Sequence, residues 1–303
     1  MKETTRSYYA AAVERACRRI RASLDTALDL HALAREASAS SFHFHRIFRG
    51  MVGETPLEMH RRLRLERAAA RLLDSDASVT TIAFESGFET HEAFTRAFRR
   101  AFAEPPTAFR ERLVADDGCA RRPQTRLAAP CGLHYDTEPA ELSMLGMVST
   151  MHVSIEPRPA IRIAAVRHRG PYPTISQAFA KLGAAAGPAG LIGPSTVMLA
   201  IYYDDPDSTP PEELRSDAGI SVPEEATLPA GVDEQRVPAG QYARYLHVGP
   251  YSGLGDAWSR LMGQWLPGSG HRIGEGATYE VYLDDPRTTP PDQLRTELYL
   301  SIA

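Results

Sequence analysis

The stretch YYDDP at residues 202–206 recurs as YLDDP at residues 282–286, 80 positions further along the chain. Upstream of it, HRGPY at residues 168–172 recurs as HVGPY at residues 247–251, 79 positions further along. The identities keep the same order in both places, and a single inserted residue accounts for the change of spacing. So many ordered identities indicate that the C-terminal half consists of one module that was duplicated.

Each copy shows the same order of sequence patterns. A strand pattern at residues 161–168 or 242–248 leads into the Gly-Pro-Tyr turn, a helix to about Leu182 or Leu266, and two strands that flank the Asp-Asp-Pro loop. The helix of such a module covers one face of its strands, so two modules side by side leave a concave surface between them. The sequence predicts an α+β domain over residues 150–303 made of two tandem βαββ modules, with a ligand site between the copies.

The N-terminal half has a different periodicity. From residue 8 to about 113, apolar residues recur at helical spacing, and strand-like alternation is absent. A short helix, a turn and a second helix are predicted at residues 29–49 and again at 79–102, with a long helix at 56–73 between them. Two helix-turn-helix units joined by a helix are typical of a bipartite DNA reader, although a plain helical bundle has the same periodicity. We expect an all-α double helix-turn-helix domain over residues 1–115.

The two halves also differ in charge. The 303-residue chain has a formal net charge of −4, which separates into +4 over residues 1–122 and −8 over residues 123–303. Such asymmetry is typical of a protein with one nucleic-acid-binding half. Residues 116–149 are rich in turn-forming residues and show little core-forming pattern, so we interpret them as a linker.

Several motifs of the N-terminal half carry a family resemblance. They are RIFR at 46–49, IAFESGF at 82–88, FTRAF at 94–98 and PTAFR at 106–110, with a Leu-rich spacer between the first two. In this order they resemble the AraC/XylS-type regulators, which implies sequence-specific binding to double-stranded DNA. The chain departs from that pattern at Ala103, where the family commonly has Gly, and at His43 and His45 in the first reading helix. The departure at Ala103 is mild, and the two histidines leave the base preference open.

A reading helix must present donors and acceptors to base edges from its outward face, while its apolar face stays anchored. Arg46 and Arg96 are the best candidates for bidentate contact with guanine, and Phe94 and Phe98 should point inward. The outward residues of the two helices, and hence the expected DNA-binding residues, are Phe42, His45, Arg46, Arg49, His91, Glu92, Thr95 and Arg96.

The duplicated half resembles the GyrI-like effector-binding domains, and its place after an AraC-type reader resembles the Rob-like arrangement. The resemblance implies a cleft acid in the second copy, at Glu280. Strand alternation puts Glu280 and Tyr282 on the same face. The first copy has Ala200 at the equivalent position, so the module does not need the acid to fold. The alternative is a structural Glu280, paired with a neighbouring Arg or His.

Aromatic residues are expected to line the same cleft, and each of them is also compatible with a plain core position. With Glu280, the expected ligand-binding residues are Tyr172, Phe179, Tyr202, Tyr251, Trp258 and Tyr282. An acid surrounded by aromatic rings favours a lipophilic, cationic small molecule through Coulomb attraction and cation–π contacts.

Other chemistries find little support in the sequence. Cys17, Cys119 and Cys131 have no metal-site or disulfide spacing, and we interpret them as unpaired thiols. His43 and His45 are two positions apart and point to different sides of a helix, which disfavours a metal site. We expect no metal, no cofactor and no catalytic residues.

The preferred function is a DNA-binding transcription regulator whose C-terminal domain binds a small-molecule effector, with RNA polymerase as the expected protein partner. Two alternatives stay open: a small-molecule hydrolase that uses a buried Glu as general base, and a protein-interaction module with a vestigial cleft. The polar first residues and the lack of a long apolar run predict no membrane span and a cytoplasmic location.

Overall fold

A computed structural model describes residues 2–37, 40–114, 124–136, 151–206 and 209–303. These residues form two compact units. The N-terminal unit draws on Tyr9–Ala39 and Met51–Leu145, and the C-terminal unit draws on Met1–Tyr8, Ser40–Gly50 and Gly146–Ala303, as far as these ranges are described. Most of the first predicted reading helix therefore belongs to the C-terminal unit. Cys119 lies outside the described residues.

The N-terminal half is helical over its described residues, as predicted. Its helices are α1 (Lys2–Ala22), α2 (Leu30–Glu36), α3 (Ser41–Val52), α4 (Pro56–Asp74), α5 (Val79–Glu85), α6 (His91–Phe102) and α7 (Pro106–Val114). The long α4 begins with a capping box, in which Thr55 accepts from the backbone N–H of Glu58 while the Glu58 side chain accepts from that of Thr55. Pro56 occupies the first turn, where its missing N–H is not needed.

Short polar caps and an aromatic core define the second helix-turn-helix. Ser78 caps α5 and Thr90 caps α6, each by accepting a backbone N–H of the first turn. The fully buried rings of Phe94, Phe98 and Phe109 pack with aliphatic side chains of α4 and α5. At the end of α6, Ala103 takes a left-handed conformation with φ of 63°. That conformation favours glycine, which is the residue the family commonly has at this position, so Ala103 is held here in a strained backbone conformation.

Part of the predicted linker is an ordered component of the N-terminal unit. Over residues 124–136, Cys131 and Leu133 are buried and Leu127 packs against the aromatic core. The fully buried Glu66 carboxylate accepts the backbone N–H groups of Leu127 at 3.0 Å and Tyr135 at 3.2 Å. Turn-forming residues and the lack of a core-forming pattern predict a linker here, yet backbone N–H groups of this segment fix it to α4. The rest of the predicted linker, residues 116–123 and 137–149, lies outside the described residues.

The C-terminal unit is built on one antiparallel sheet of eight strands. The strands are β1 (Val153–Arg158), β2 (Ile161–Arg169), β3 (Met198–Tyr202), β4 (Arg215–Ser221), β5 (Asp233–Val237), β6 (Gly240–Val248), β7 (Tyr279–Tyr282) and β8 (Arg295–Ile302). Their order across the sheet is β1-β6-β8-β7-β3-β4-β2-β5. The two copies therefore meet at the centre, where β3 of the first pairs with β7 of the second.

The predicted α+β fold is confirmed, and each copy carries one strand more than predicted. The additional strands β1 and β5 are exchanged between the copies: β1 of the first copy pairs with β6 of the second, and β5 of the second pairs with β2 of the first. They form the two edges of the sheet and tie each copy to the other.

The helices of the module lie on one face of the sheet. The first copy supplies α8 (Ser176–Ala186), whose Leu182 and Ala186 pack on Ala164 and Ile220. The second supplies α9 (Leu254–Arg260), which continues through a π-helical turn (Leu261–Trp265) into a short helix (Leu266–Ser269). The opposite face carries its own core, which includes Tyr242, Tyr279 and Tyr299.

Candidate functional site: the cleft between the copies and the two reading helices

The predicted cleft acid lies at the junction of the two copies. In the register of β3 and β7, Glu280 pairs directly with Ala200, its counterpart in the first copy. Ala200 pairs in turn with Ala218 of β4, two residues from Ile220, which packs under α8. Because side chains two residues apart share a face, Glu280 lies on the helix-covered face of the sheet.

Fixed donors hold the carboxylate of Glu280, which is only 3% exposed. Its Oε1 accepts from the indole Nε1 of Trp258 at 2.8 Å, and its Oε2 accepts from the hydroxyl of Tyr282, also at 2.8 Å. The Tyr202 hydroxyl lies 2.9 Å from that of Tyr282. Since Tyr282 donates to the acid, Tyr202 must donate to Tyr282. Tyr202 and Tyr282 thus form a directed chain that ends on one carboxylate oxygen, and Trp258 donates separately to the other.

Burial and the local hydrogen bonds act in opposite directions on Glu280. Burial raises the pKa of Glu280, whereas the bonds from Trp258 and Tyr282 and the positive charge of Arg46 lower it. Burial also raises the pKa of Tyr202 and Tyr282 well above the usual range, so both phenols stay protonated and keep donating. The cleft therefore holds an acid that an organic cation would stabilise in its ionised form.

The predicted aromatic residues come together around this acid. Tyr172 lies edge-on to Tyr202 with ring centroids 4.7 Å apart. Phe179 and Tyr251 approach Tyr282 at 5.7 and 5.4 Å, again edge-on. With Trp258, the seven expected ligand-binding residues thus form one cluster, contributed by both copies. Their role in ligand binding stays a prediction.

Helix α3 occupies this same cleft, which the sequence did not predict. Arg46, expected to face outward, is 8% exposed, and its guanidinium carbon lies 3.7 Å from the ring centroid of Phe42, which is also buried. The negative charges of Asp205 and Glu280 act on this guanidinium, against the lowering of the pKa of Arg46 by burial. Nδ1 of His45 lies 2.8 Å from Oδ1 of Asp205. The outward placement predicted for Phe42, His45 and Arg46 is therefore wrong for this structure.

Two further polar contacts fix the position of α3. Nε2 of His43 lies 3.2 Å from Oγ1 of Thr278. The guanidinium of Arg49, which is exposed as predicted, lies 2.7 Å from the Asp256 carboxylate on α9. Both partners of α3 are residues that the sequence analysis did not single out.

Asp205 contacts α3, although the sequence did not predict it as a site residue. The sequence pattern around it indicates a different role. The repeat shows Asp-Asp-Pro in both copies, a pattern whose interpretation from sequence is a turn, since Asp before Pro is typical of one. That interpretation fits Asp204, which accepts the backbone N–H and the guanidinium of Arg215. Asp205 instead meets His45, whereas its counterpart Asp285 pairs locally with Arg287 at 2.6 Å. Two identical motifs thus have different partners.

The second reading helix presents its residues much as expected. Glu92 and Arg96 on α6 are exposed, His91 and Thr95 are half-buried, and Phe94 and Phe98 point into the core. Nε2 of His91 lies 3.4 Å from Oγ1 of Thr95, which orders this surface. Contacts of these side chains with DNA stay a prediction.

Metal-ligand clusters and membrane-spanning helices are both absent from the described residues. Within the described ranges, no group of three or more His, Cys, Asp or Glu side chains is arranged to hold a metal ion. Nor does any helix in those ranges combine the length and apolar character needed to cross a membrane.

Comparison with known proteins agrees with both halves. The GyrI-like small molecule binding domain matches residues 151–303, just over half of the chain, and a helix-turn-helix domain matches residues 33–112. Fold and cleft define a DNA-binding regulator that carries a small-molecule-binding domain. The chain belongs to the GyrI-like family, in an arrangement with an AraC-type helix-turn-helix region ahead of the GyrI-like domain.

Individual relatives match one half or the other. The chain is 38% identical over 138 residues to a DNA gyrase inhibitor of Yersinia enterocolitica. The matched stretch covers 44% of this chain and 86% of the relative. The chain is 39% identical over 103 residues to the uncharacterized HTH-type transcriptional regulator YbfP of Bacillus subtilis, covering 34% of this chain and 35% of the relative. Among solved structures, the EcmrR C-terminal domain is 18% identical with a TM-score of 0.45, covering 51% of this chain and 99% of that one.

Proposed function

We propose that the effector of this regulator is a lipophilic organic cation, bound in the cleft by Glu280 and its aromatic wall. One observation carries the proposal: the cleft already encloses a planar, delocalised cation, the guanidinium of Arg46. That cation is 8% exposed and is influenced by the charges of Asp205 and Glu280. A cleft that accommodates a guanidinium beside aromatic rings has the chemistry to accommodate another delocalised cation.

The physical basis is the combination of a dehydrated acid with ring faces. An ionised carboxylate that is taken out of water loses hydration, and the two hydrogen bonds to Glu280 replace only part of it. A cationic ligand would supply the missing charge partner in a medium of low dielectric constant, where Coulomb attraction is strong. Rings such as Tyr251, which is 37% exposed, would add cation–π contacts and apolar area.

We propose further that the cleft binds its ligand without chemical turnover. Both oxygens of Glu280 accept hydrogen bonds from fixed donors, an arrangement that holds a charge in place rather than presenting a free base to water. Incubation of candidate cations with the full chain, followed by mass spectrometry, should return them unchanged. Release of a hydrolysis product that depends on Glu280 would favour the hydrolase alternative.

As a promoter-bound regulator, the protein is proposed to act on RNA polymerase.

Calorimetry with a matched pair of probes tests the charge. We would titrate 4-phenylbenzamidinium, an aromatic cation that resembles the Arg46 guanidinium, and its neutral isostere 4-phenylbenzamide into the full chain. Glu280→Gln should weaken the amidinium by at least about tenfold and change the amide little, because only the cation loses its counter-charge. The same substitution at the exposed Glu212 serves as the control. Equal losses for both probes, or no loss, would show that Glu280 does not act through its charge.

A further inference from the structure

We propose that α3 is an internal ligand of the effector cleft, so that a bound cation and a docked α3 exclude each other and the effector releases the first reading helix for DNA. The inference rests on the proposed function, since it takes the cleft between the copies as the effector site. It adds to that function an autoinhibitory contact made by a defined segment, residues 42–50.

The first step is that α3 and a cation would compete for the same groups. Arg46 presents its guanidinium where the charges of Asp205 and Glu280 and the phenols of Tyr172 and Tyr202 act on it. Of those groups, Glu280, Tyr172 and Tyr202 belong to the cluster of expected ligand-binding residues described above. A cation that reached Glu280 would therefore have to displace the side chain of Arg46.

The second step is that a docked α3 cannot read DNA. Phe42, His45 and Arg46 are each less than a tenth exposed, so their side chains cannot reach base edges or phosphates. Two acids of the C-terminal unit contact basic side chains of α3 where DNA phosphates otherwise would. Asp205 contacts His45, and Asp256 contacts Arg49. An acidic surface that binds the basic face of a reading helix is a direct competitor of DNA.

The third step is that α3 approaches the C-terminal helix closely only because two glycines meet. A Cβ built on Gly263, in the π-helical turn, would lie 2.5 Å from Cα of Gly50 and 2.8 Å from the carbonyl oxygen of Ile47. A Cβ on Gly50 would in turn lie 2.7 Å from Cα of Gly263. The helix itself does not require this glycine, because the equivalent residue of the first copy is Ala184.

The fourth step is that the docked arrangement is incompletely satisfied and so can be displaced. Nε of the buried Arg46 has no hydrogen-bond partner within the described part of the chain. Its Nη1 donates only a long bond, 3.4 Å, to the carbonyl oxygen of Phe42 in its own helix. A small cation that filled the cleft and left no buried donor without a hydrogen-bond partner would bind there more tightly than the Arg46 side chain.

The decisive variant is Gly263→Ala in the full chain. The three nearest atoms that the new methyl group would meet all belong to α3, so the change blocks docking and leaves Glu280 and the reading helix unaltered. The control is Gly255→Ala on α9, where a Cβ would meet nothing within 4 Å. A second variant, Asp256→Lys, opposes docking by repulsion of Arg49 at an exposed position and serves if the first fails to fold.

Three measurements should change together. Gly263→Ala should bind a DNA duplex, selected from a random library with the full chain, about tenfold more tightly without added cation. Hydrogen exchange of the α3 amides should be faster, and 4-phenylbenzamidinium should bind about tenfold more tightly, since it no longer competes with α3. Gly255→Ala should behave as the unmodified protein in all three.

The outcomes separate this inference from the proposed function. If the amidinium binds Gly263→Ala and the unmodified protein equally, and DNA affinity and exchange do not change, α3 is not autoinhibitory while the cation site stands. If DNA affinity and exchange rise but no variant binds the amidinium, the docking stands and the proposed effector class is wrong.

Discussion

The indole Nε1 of Trp258 donates a 2.8 Å hydrogen bond to Oε1 of Glu280, and both residues are at least 97% buried. The bond joins α9 to β7 and fixes one oxygen of the carboxylate, while the other oxygen accepts from Tyr282. It does not remove the cost of burying a charge, because the pKa of Glu280 is raised in spite of it. Burial of the ionised Glu280 side chain therefore costs the free protein stability.

Glu280→Gln should make the ligand-free protein more stable at neutral pH. The folded protein holds the Glu280 proton more tightly than the ordinary value of 4.5, so stability is full below pH 4.5 and falls as pH rises through the raised pKa. Gln cannot ionise and escapes this loss. We expect a gain on the order of 1 kcal/mol at pH 7.5, or about 2–4 °C in Tm, by thermal unfolding.

The gain should shrink towards zero as the pH approaches 4.5. The hydroxyl chain can adapt to the amide, since Tyr282 can accept from the Gln amide and donate to Tyr202, while Trp258 still donates to Oε1. A destabilised variant at pH 7.5 would show instead that the hydrogen bonds outweigh the cost of burial.

Docking of α3 should weaken as the pH falls because of His43. Burial, together with the charge of Arg46, lowers the pKa of His43 to about 4 from the ordinary 6.5. A depressed pKa means that docking is strongest above pH 6.5 and is progressively lost as the pH falls towards 4, because only the released side chain takes up the proton. At pH 5.5 the docking equilibrium should be about tenfold less favourable from this group alone.

The comparison that isolates this effect is with His43→Gln, which can keep the bond to Thr278 but does not titrate. Hydrogen-exchange protection of α3 would be measured at pH 7.5 and 5.5 in both proteins. His45, Asp205 and Arg46 are the same in both, so their own responses cancel in the ratio. A ratio that is the same at the two pH values would contradict the assignment to His43.

The duplication made the cleft predictable, because two features of the sequence carry it. The offset of 80 residues in the second part of the repeat aligns Glu280 with Ala200, and the register of β3 and β7 pairs those two positions. The two-residue period of a strand then placed Tyr282 beside the acid. The internal alignment of a duplicated sequence can thus predict which residues of the two copies pair with each other.

Other features had no comparable signal. The edge strand β1 has a half-exposed pattern without clean alternation, and its exchange onto the other copy depends on pairing that no local pattern encodes. The docking of α3 was missed because its basic face suits DNA phosphates and the acids Asp205 and Asp256 equally well. Its glycine contact involves Gly50 and Gly263, more than 200 positions apart.

The segment at residues 124–136 should stabilise the N-terminal unit. Glu66 accepts two of its backbone N–H groups and lies 3.0 Å from Nδ1 of His134, while Arg62 donates to Glu66 and to the carbonyl oxygen of Leu133. A fragment of residues 1–136 should unfold at a higher temperature than one of residues 1–114. Leaving the buried Glu66 carboxylate without these backbone donors should cost about 1–3 kcal/mol per lost hydrogen bond.

A double-mutant comparison tests that assignment. In fragments that carry Glu66→Ala, the advantage of the longer fragment should largely disappear, because its anchor is gone. Asp76→Ala, at an exposed position just beyond the end of the same helix, is the control and should leave the advantage intact. Equal unfolding temperatures for the two unmodified fragments would mean that residues 124–136 act as a linker after all.

The two reading helices should specify separate half-sites. Helix α4, which joins the two helix-turn-helix units, has 19 residues and is about 28 Å long, whereas successive major grooves on one face of straight DNA lie about 34 Å apart. If α4 sets the separation, the DNA must bend towards the protein at a cost of order 1–6 kcal/mol, or only one unit reads bases. Deformable pyrimidine–purine steps should then be favoured between the half-sites.

Base-preference selections on Arg46→Ala and Arg96→Ala decide between these geometries. Both substitutions are best made with Gly263→Ala, in which α3 is expected to be free, because Arg46 cannot reach DNA from the cleft. Each should relax preference at its own half-site by about 1–3 kcal/mol per guanine, and the two losses should lie about one helical turn apart. Arg99→Ala, at an exposed position on α6 suited to phosphate, should weaken all sequences alike. Overlapping losses for Arg46 and Arg96, or uniform weakening by either, would contradict a bipartite reader, since a side chain that contacts only phosphate carries no base preference.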